Sequence, residues 1–154
     1  HDIGKVGISD NILCKPGKLA PEEYEIMKTH TLIGARTLEA VREKYPNNAF
    51  INLGIEIARS HQEKWDGKGY PDGLAGNQIP LSARIMSVVD VYDALRTVRS
   101  YKPAYSPEQT TDIMKKASGR QFDPELVELY LVLEDSFHEI SETVVGEEEI
   151  QKNM

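Results

Sequence analysis

The sequence is poor in features that would assign it to a specialised class of protein. Its 154 residues contain a single cysteine, Cys14, so an internal disulfide is excluded and a reducing compartment, the cytoplasm, is expected. No apolar run approaches the roughly 20 residues that a membrane-spanning helix needs, and no signal-peptide pattern opens the chain. Strand-like alternation is scarce, whereas helix signals recur. We therefore expect one all-α domain with no membrane segment.

Basic residues are also in deficit, with 18 lysines and arginines against 25 acidic residues and a net charge of −7. Such a surface repels the phosphate backbone, which argues against DNA or RNA as a bulk partner. A small phosphate ligand remains compatible, because metal ions and a few cations can reverse the field locally. Acidic residues accumulate at the C-terminal end, so residues 141–154 are expected to form a frayed acidic tail beyond a domain of residues 1–140.

Capping signals and apolar periodicity predict five helices. The first should run from Pro21 and stop before Tyr45, and the fourth should end at Gly119. The last is expected to be amphipathic as far as Phe137. The predicted start signals, in chain order, are Pro21, Asn48, Pro80, the capping box Ser106-Pro107-Glu108-Gln109, and Asp123-Pro124.

Histidine and acidic side chains fall on the inward faces or the ends of these helices. His30 lies on the inward face of the first helix, and His61 ends the second, on a face shared with Phe50. Asp90 lies on an apolar stripe of the third helix, where a carboxylate is costly unless it is paired or bound to metal. The chain opens with His1-Asp2. Each residue alone has an ordinary structural explanation, but together they predict a metal centre.

Imidazole and carboxylate donors suit Mn²⁺, Fe²⁺, Zn²⁺, Co²⁺ or Ni²⁺, and the lack of cysteine ligands argues against a structural zinc site. A carboxylate that bridges two such ions ~3.5–4 Å apart could hold a hydroxide for in-line attack on a phosphodiester. Basic side chains would then hold the other phosphate oxygens. The glycine-rich loop from Trp65 to Gly76 is expected to be a rigid docking surface beside His61.

Several motifs in a fixed order resemble the HD-GYP domain, a subgroup of the HD phosphohydrolase superfamily. The resemblance covers nearly the whole chain, and its matching segments are His1-Asp2-Ile3-Gly4-Lys5, Lys15-Pro16-Gly17, Met27-Lys28-Thr29-His30, Trp65-Asp66-Gly67-Lys68-Gly69-Tyr70-Pro71, residues 79–85, residues 90–95, Arg99-Ser100-Tyr101-Lys102 and Phe122-Asp123-Pro124. It implies an all-α HD-domain helical bundle. It also implies hydrolysis of the bacterial second messenger cyclic di-GMP, to pGpG or GMP, at a centre of two or three divalent ions such as Fe or Mn.

The resemblance further implies roles for individual residues. Asp2 and Lys5 would be the catalytic pair, with Asp2 bridging the metals and Lys5 beside the reacting phosphate and water. The implied metal ligands are His1, Asp2, His30, His61 and Asp90. The implied substrate-binding residues are Tyr70, Arg99 and Lys102. The expected partners are a cyclic dinucleotide and a protein that docks on the Gly67–Pro71 loop.

The chain departs from the family pattern in two ways. Family members carry, before the His-Asp pair, a helical segment that supplies another histidine, so we expect a bundle lacking its usual first helices and a homodimer formed through the uncovered apolar surface. Gln62 stands where the family has a second adjacent histidine, and an amide is a weaker ligand. We therefore expect partial or absent metal occupancy and impaired turnover.

Two alternatives to a cyclic di-GMP phosphodiesterase stay open at this point. One is a catalytically lapsed HD-GYP module that senses a nucleotide or docks a protein partner. The other is an HD hydrolase that acts on a different phosphoester, such as another cyclic dinucleotide. Gln62 favours the lapsed module, whereas the retained lysine, arginine and loop motifs favour ancestry in an active enzyme.

Overall fold

The computed structural model describes the backbone of residues 1–98 and 103–152, and their side chains as far as residue 143. These residues form helices and no strand, apart from one isolated bridge between Ser118 and Phe122, so the all-α prediction is confirmed. None of the described helices is long and apolar enough to cross a membrane. The elements, in order, are a 3₁₀ helix (Ile3–Gly7), α1 (Asp10–Leu13), α2 (Pro21–Lys28), α3 (His30–Arg42), α4 (Ala49–Ser60), a second 3₁₀ helix (Gly76–Gln78), α5 (Leu81–Arg96), α6 (Pro107–Ala117), α7 (Pro124–Val132) and α8 (Glu134–Lys152).

The chain divides into two compact units, His1–Ser87 and Val88–Met154. In the first unit, α3 packs against both α4 and the first 3₁₀ helix. Gly4 and Gly34 make the second contact possible: a Cβ on Gly4 would collide with the His30 carbonyl and lie 2.5 Å from the Gly34 nitrogen. A Cβ on Gly34 would meet Ala58 of α4 at 3.4 Å. The two glycines therefore let three elements meet closely, next to His1, Asp2 and His30.

The helix predicted from Pro21 to Tyr45 is two helices. α2 ends at Lys28 and α3 begins at His30, with Thr29 between them. The Thr29 hydroxyl donates to the Ile26 carbonyl at 2.7 Å, a local bond that competes with the helical ladder. Apolar periodicity runs through this break, so the pattern alone indicated one helix. The break makes His30 the first residue of α3.

Helix α4 starts as predicted, because the Asn48 side chain accepts a hydrogen bond from the Ile51 nitrogen at 3.2 Å. The prediction that Phe50 shares an inward face with His61 is wrong, since Phe50 is 83% exposed. Ile55 and Ala58 occupy the buried face instead. Phe50 lies in the first turn of α4, and the spacing assigned it to the inward stripe because spacing does not show where packing against α3 begins.

The second unit has its own apolar core. The Ser106 capping box is confirmed, with Ser106 Oγ accepting from the Gln109 nitrogen at 3.2 Å and Gln109 Oε1 accepting from the Ser106 nitrogen at 3.0 Å. Asp123 caps α7 as predicted, and Gly119 adopts φ +72° after α6. The buried core residues are Val88, Tyr92, Met114, Phe122, Val127 and Tyr130.

The C-terminal end differs from its prediction in two respects. The predicted fifth helix ends at Val132, and α8 begins at Glu134, so the amphipathic stripe through Phe137 spans two helices. The backbone of the acidic segment is helical as far as Lys152. The separation of that segment from the domain as a tail stays a prediction.

Candidate metal centre

Three of the predicted metal ligands come together in the first unit. Asp2 Oδ1 lies 3.6 Å from His30 Nε2 and 3.7 Å from His61 Nε2, and the two Nε2 atoms lie 3.3 Å apart. Both histidines are 2% exposed. Among the described residues, these three form a group whose ligand atoms all lie within 4.8 Å of one another. Asp2 precedes the first 3₁₀ helix, His30 opens α3, and His61 follows α4.

Each histidine is oriented by main-chain carbonyls three or four residues earlier in the chain. His30 Nδ1 lies 2.7 Å from the Met27 carbonyl, and His61 Nδ1 lies 3.0 Å from the Ile57 carbonyl and 3.2 Å from that of Ala58. Because a carbonyl only accepts, each Nδ1 donates its hydrogen, and each neutral ring carries its lone pair on Nε2. Such a bond fixes the tautomer of a metal-binding histidine and aims the lone pair into the site.

The three inward atoms fit a divalent cation. Asp2 Oδ1 is buried and has no hydrogen-bond partner, which is costly for a carboxylate oxygen. Two imidazole lone pairs and this oxygen repel one another at 3.3–3.7 Å unless positive charge lies between them. Donors that share an ion at about 2.0–2.2 Å are separated by roughly 3–3.5 Å, close to the observed spacing. The residues present therefore suit a metal of the imidazole-preferring group.

The second oxygen of Asp2 faces two other predicted residues. Oδ2 lies 3.4 Å from His1 Nε2 and accepts a 2.5 Å hydrogen bond from Lys5 Nζ, three residues along the 3₁₀ helix. The His1 and His61 rings approach edge to face, with centroids 5.1 Å apart. The two oxygens of Asp2 thus serve different neighbours, an arrangement that allows one carboxylate to bridge two cations.

The loop beside the site is organised by Glu63, which the sequence reading did not single out. Its side chain is 2% exposed, and its oxygens accept hydrogen bonds from the backbone nitrogens of Asp72, Gly73 and Leu74 at 2.7, 3.1 and 3.1 Å. Burial raises the pKa of the Glu63 carboxyl, and the three donors oppose that rise. The sequence signal for this role is an acidic residue between His61 and a glycine-rich loop. That signal is weak, because an acidic residue beside a loop is ordinarily a surface charge.

Tyr70 reaches the edge of the metal centre from this loop. Its ring lies edge to face with the His30 ring, with centroids 6.4 Å apart, and in the same way with Tyr24 at 6.4 Å. Lys28 Nζ lies 5.8 Å from the centre of the Tyr70 ring. Tyr70 thus lies beside His30, and its role in binding substrate stays a prediction.

Asp90 lies on α5 in the second unit and is half-buried, and its role as a ligand stays a prediction. Arg99 and Lys102 lie outside the described residues. The Gln62 carbonyl accepts a hydrogen bond from the Tyr70 nitrogen at 3.2 Å, so its main chain supports the loop.

Comparison with known proteins agrees with this geometry. Residues 1–126 match the family model described as HD domain. The chain is 49% identical over 137 residues to a cyclic di-GMP phosphodiesterase of Vibrio cholerae, covering 89% of this chain and 28% of that protein. It is 46% identical over 140 residues to a cyclic di-GMP phosphodiesterase of Thermotoga maritima, covering 91% and 37%.

A relative of different specificity is also similar. The 3′3′-cGAMP-specific phosphodiesterase 2 of Vibrio cholerae is 44% identical over 137 residues, covering 89% of this chain and 25% of that protein. The chain thus spans between 25% and 37% of the length of these three curated relatives. As the resemblance to HD-GYP domains predicts, the chain belongs to the HD domain family.

Proposed function

We propose that this chain is a metal-dependent phosphodiesterase domain that hydrolyses cyclic di-GMP, with cleavage of one phosphodiester bond giving pGpG and cleavage of both giving GMP. The observation that carries the proposal is the convergence of Asp2, His30 and His61 on one point, with both imidazole lone pairs and a buried, unpartnered carboxylate oxygen aimed at it. The relatives named cyclic di-GMP phosphodiesterases support the choice of substrate.

Divalent ions such as Fe²⁺ or Mn²⁺, two or three per chain, would be held by His1, Asp2, His30, His61 and Asp90. When bound, such ions supply Lewis acidity and lower the pKa of coordinated water. The chain's own residues orient the reaction: the Met27 carbonyl fixes the tautomer of His30, and the Ile57 carbonyl that of His61.

Lys5 has the second role in this proposal. Its ammonium group donates to Asp2 Oδ2, and the side chain is about 40% exposed, so it can also donate to a phosphate oxygen of a bound substrate. Tyr70 would bound the substrate on the loop side, and Arg99 and Lys102 would hold its phosphates. The same proposal places the domain, residues 1–140, in the bacterial cytoplasm, where the messenger is made.

A second candidate substrate is 3′3′-cGAMP, which differs from cyclic di-GMP in one purine base. The 44% identity to a phosphodiesterase named for that substrate favours it, although two of the relatives with higher identity are named for cyclic di-GMP. Lapsed chemistry is the third candidate, because Gln62 replaces a family histidine. In that form the module would bind a nucleotide, pair with a second copy, or dock a protein through the Gly67–Pro71 loop.

Direct assay separates these candidates. Purified protein is incubated with Mn²⁺ or Fe²⁺ and with either dinucleotide, and linear products are separated by chromatography. Cleavage of cyclic di-GMP that is lost on chelation and in His30→Ala supports the proposal. Preferential cleavage of 3′3′-cGAMP selects the second candidate. Binding without cleavage in the wild type, together with cleavage in Gln62→His, selects the third.

A further inference from the structure

The loop that carries Tyr70 is fastened to α4 and the residues after it by two separate sets of contacts. One set joins the Glu63 carboxylate to three consecutive backbone nitrogens, those of Asp72, Gly73 and Leu74. The other joins Arg59 to Asp72 through two hydrogen bonds of 2.8 Å, Nε to Oδ2 and Nη2 to Oδ1. The two sets meet at Asp72, whose nitrogen serves Glu63 and whose side chain serves Arg59.

The Glu63 contact is an internal anion site. Gly73 adopts φ +67°, a conformation that turns successive N–H groups toward one point. The carboxylate fills the concavity that those N–H groups form, and burial raises its pKa. A buried carboxylate is tolerated where it accepts hydrogen bonds from backbone N–H groups that have no partner in a helix or sheet.

The Arg59 contact fixes the loop from the outside. The guanidinium and carboxylate are paired in parallel, and the hydrogen bonds to Asp72 raise the pKa of Arg59. The two side chains are 40% and 33% exposed. Such exposed ion pairs add little to the free energy of unfolding. We therefore expect this pair to restrict the motion of the loop rather than to stabilise the whole unit.

Just before Asp72, the loop lies directly on the main chain that follows His61. The Tyr70 nitrogen donates to the Gln62 carbonyl at 3.2 Å, and a Cβ on Gly69 would lie 2.6 Å from the same carbonyl and collide with the backbone of Glu63. These contacts fix the backbone from which the Tyr70 ring reaches the ring of His30. The backbone that carries the ring is thus held by contacts that lie outside the site.

We propose that Arg59 and Glu63 are positioning residues for phosphodiester hydrolysis: acting through Asp72 and its two successors, they hold Tyr70 beside the metal ligands before substrate arrives. This inference rests on the proposed function. Its physical content is preorganisation, because a loop that is ordered in advance does not have to be ordered by the substrate. Loss of the fastening should therefore weaken substrate binding without altering the chemical step.

The first experiment needs no substrate. Trp65, the only tryptophan of the chain, is the first residue of the loop, and its carbonyl accepts a hydrogen bond from the Gly76 nitrogen at 3.0 Å. Acrylamide quenching of its fluorescence is measured in wild type, Arg59→Gln, Asp72→Asn and the double variant. We expect the quenching constant to rise about twofold in each single variant and no further in the double, since both lose one shared contact. Arg59→Lys should recover part of the difference.

The second experiment measures the steady-state kinetics of cyclic di-GMP cleavage with Mn²⁺ in the same proteins. Arg59→Gln and Asp72→Asn should each raise KM about tenfold and leave kcat within about twofold. Lys15→Gln is the matched control, because it removes another partly exposed ion pair of the first unit, Lys15 to Glu23, that does not touch the loop. Glu63→Gln should have the larger effect, since its amide would turn a donor toward the Leu74 nitrogen.

The outcomes separate the two proposals. An inactive wild type that also fails to bind cyclic di-GMP overturns the proposed function and, with it, the role of the loop in that reaction. If the wild type is active but Arg59→Gln and Asp72→Asn keep its KM, or lose kcat instead, the positioning role is wrong. Equal quenching in wild type and the double variant shows in either case that the pair does not hold the loop.

Discussion

The close crossing of the first 3₁₀ helix and α3 provides a stringent test of how the candidate metal centre is built. In Gly4→Ala, the new methyl group would strike the His30 carbonyl and lie 2.5 Å from the Gly34 nitrogen, so it meets only backbone. Backbone atoms in a packed helix cannot rotate away as a side chain can, so the 3₁₀ helix must shift away from α3 by roughly 1 Å. Asp2, two residues earlier, should move with it.

The expected magnitude follows from that shift. Overpacking against rigid neighbours costs about 1–3 kcal/mol. For a chain of this length that corresponds to a fall of about 3–10 °C in the unfolding temperature. A displacement of Asp2 on that scale should also lower the affinity for Mn²⁺ by about 10–100-fold, because ligand geometry tolerates about half an ångström.

Gly7→Ala is the matched control. It makes the same chemical change in the same 3₁₀ helix, but its Cβ meets only the Ile33 side chain, at 3.0 and 3.1 Å, and that side chain can rotate. Thermal unfolding and Mn²⁺ calorimetry of both variants test the reasoning. Equal unfolding temperatures and equal Mn²⁺ affinities for the two variants would refute the claim that the glycine crossing positions Asp2.

Three further predictions concern single side chains. Asp2→Asn should weaken Mn²⁺ binding at least about 100-fold by calorimetry, because it removes the charge between two imidazoles, and undiminished affinity would exclude Asp2 as a ligand. Asn48→Ala should lower the free energy of unfolding by about 1 kcal/mol in urea, through loss of the cap bond to Ile51, and no change would mean that the cap is dispensable. Burial raises the pKa of Tyr92 and of Tyr130 above the ordinary tyrosine value of about 10, so the folded state holds protons that the unfolded state releases, and stability should fall as pH rises above about 10. Urea unfolding at several alkaline pH values, with Tyr130→Phe as the comparison, measures that slope, which should be shallower in the variant.

The parts of the fold that sequence could predict are those set by a few neighbouring residues. Asn48, Ser106 and Asp123 act as helix caps in the structure as they do in the pattern, because capping needs only a side chain and a nitrogen two or three residues away. The break at Thr29 was missed, since apolar spacing is continuous across it. The exposure of Phe50 was also missed, because it depends on where α3 and α4 make contact.

The candidate metal centre likewise has parts that the sequence predicts and parts that it does not. Residue type and motif order indicated Asp2, His30 and His61, and the structure brings them together. The glycine crossing and the Glu63 anion site were not predicted, because each depends on backbone from two distant segments meeting at close range. The sequence pattern shows which side chains can bind an ion. Which backbone atoms hold the neighbouring loop depends on how distant segments pack together.

The packing around the site also indicates what Gln62, at the position of a family histidine, would change. The aim of His61 is set by carbonyls three and four residues earlier, and that of His30 by the Met27 carbonyl, so neither depends on the side chain at position 62. Position 62 contributes its carbonyl to the Tyr70 nitrogen, a main-chain bond that a histidine would make equally well. Exchange of histidine for glutamine should therefore leave the three-donor cluster and the loop unchanged. We expect any loss at a further ion that would need an imidazole at position 62, whereas an ion held by Asp2, His30 and His61 should still bind.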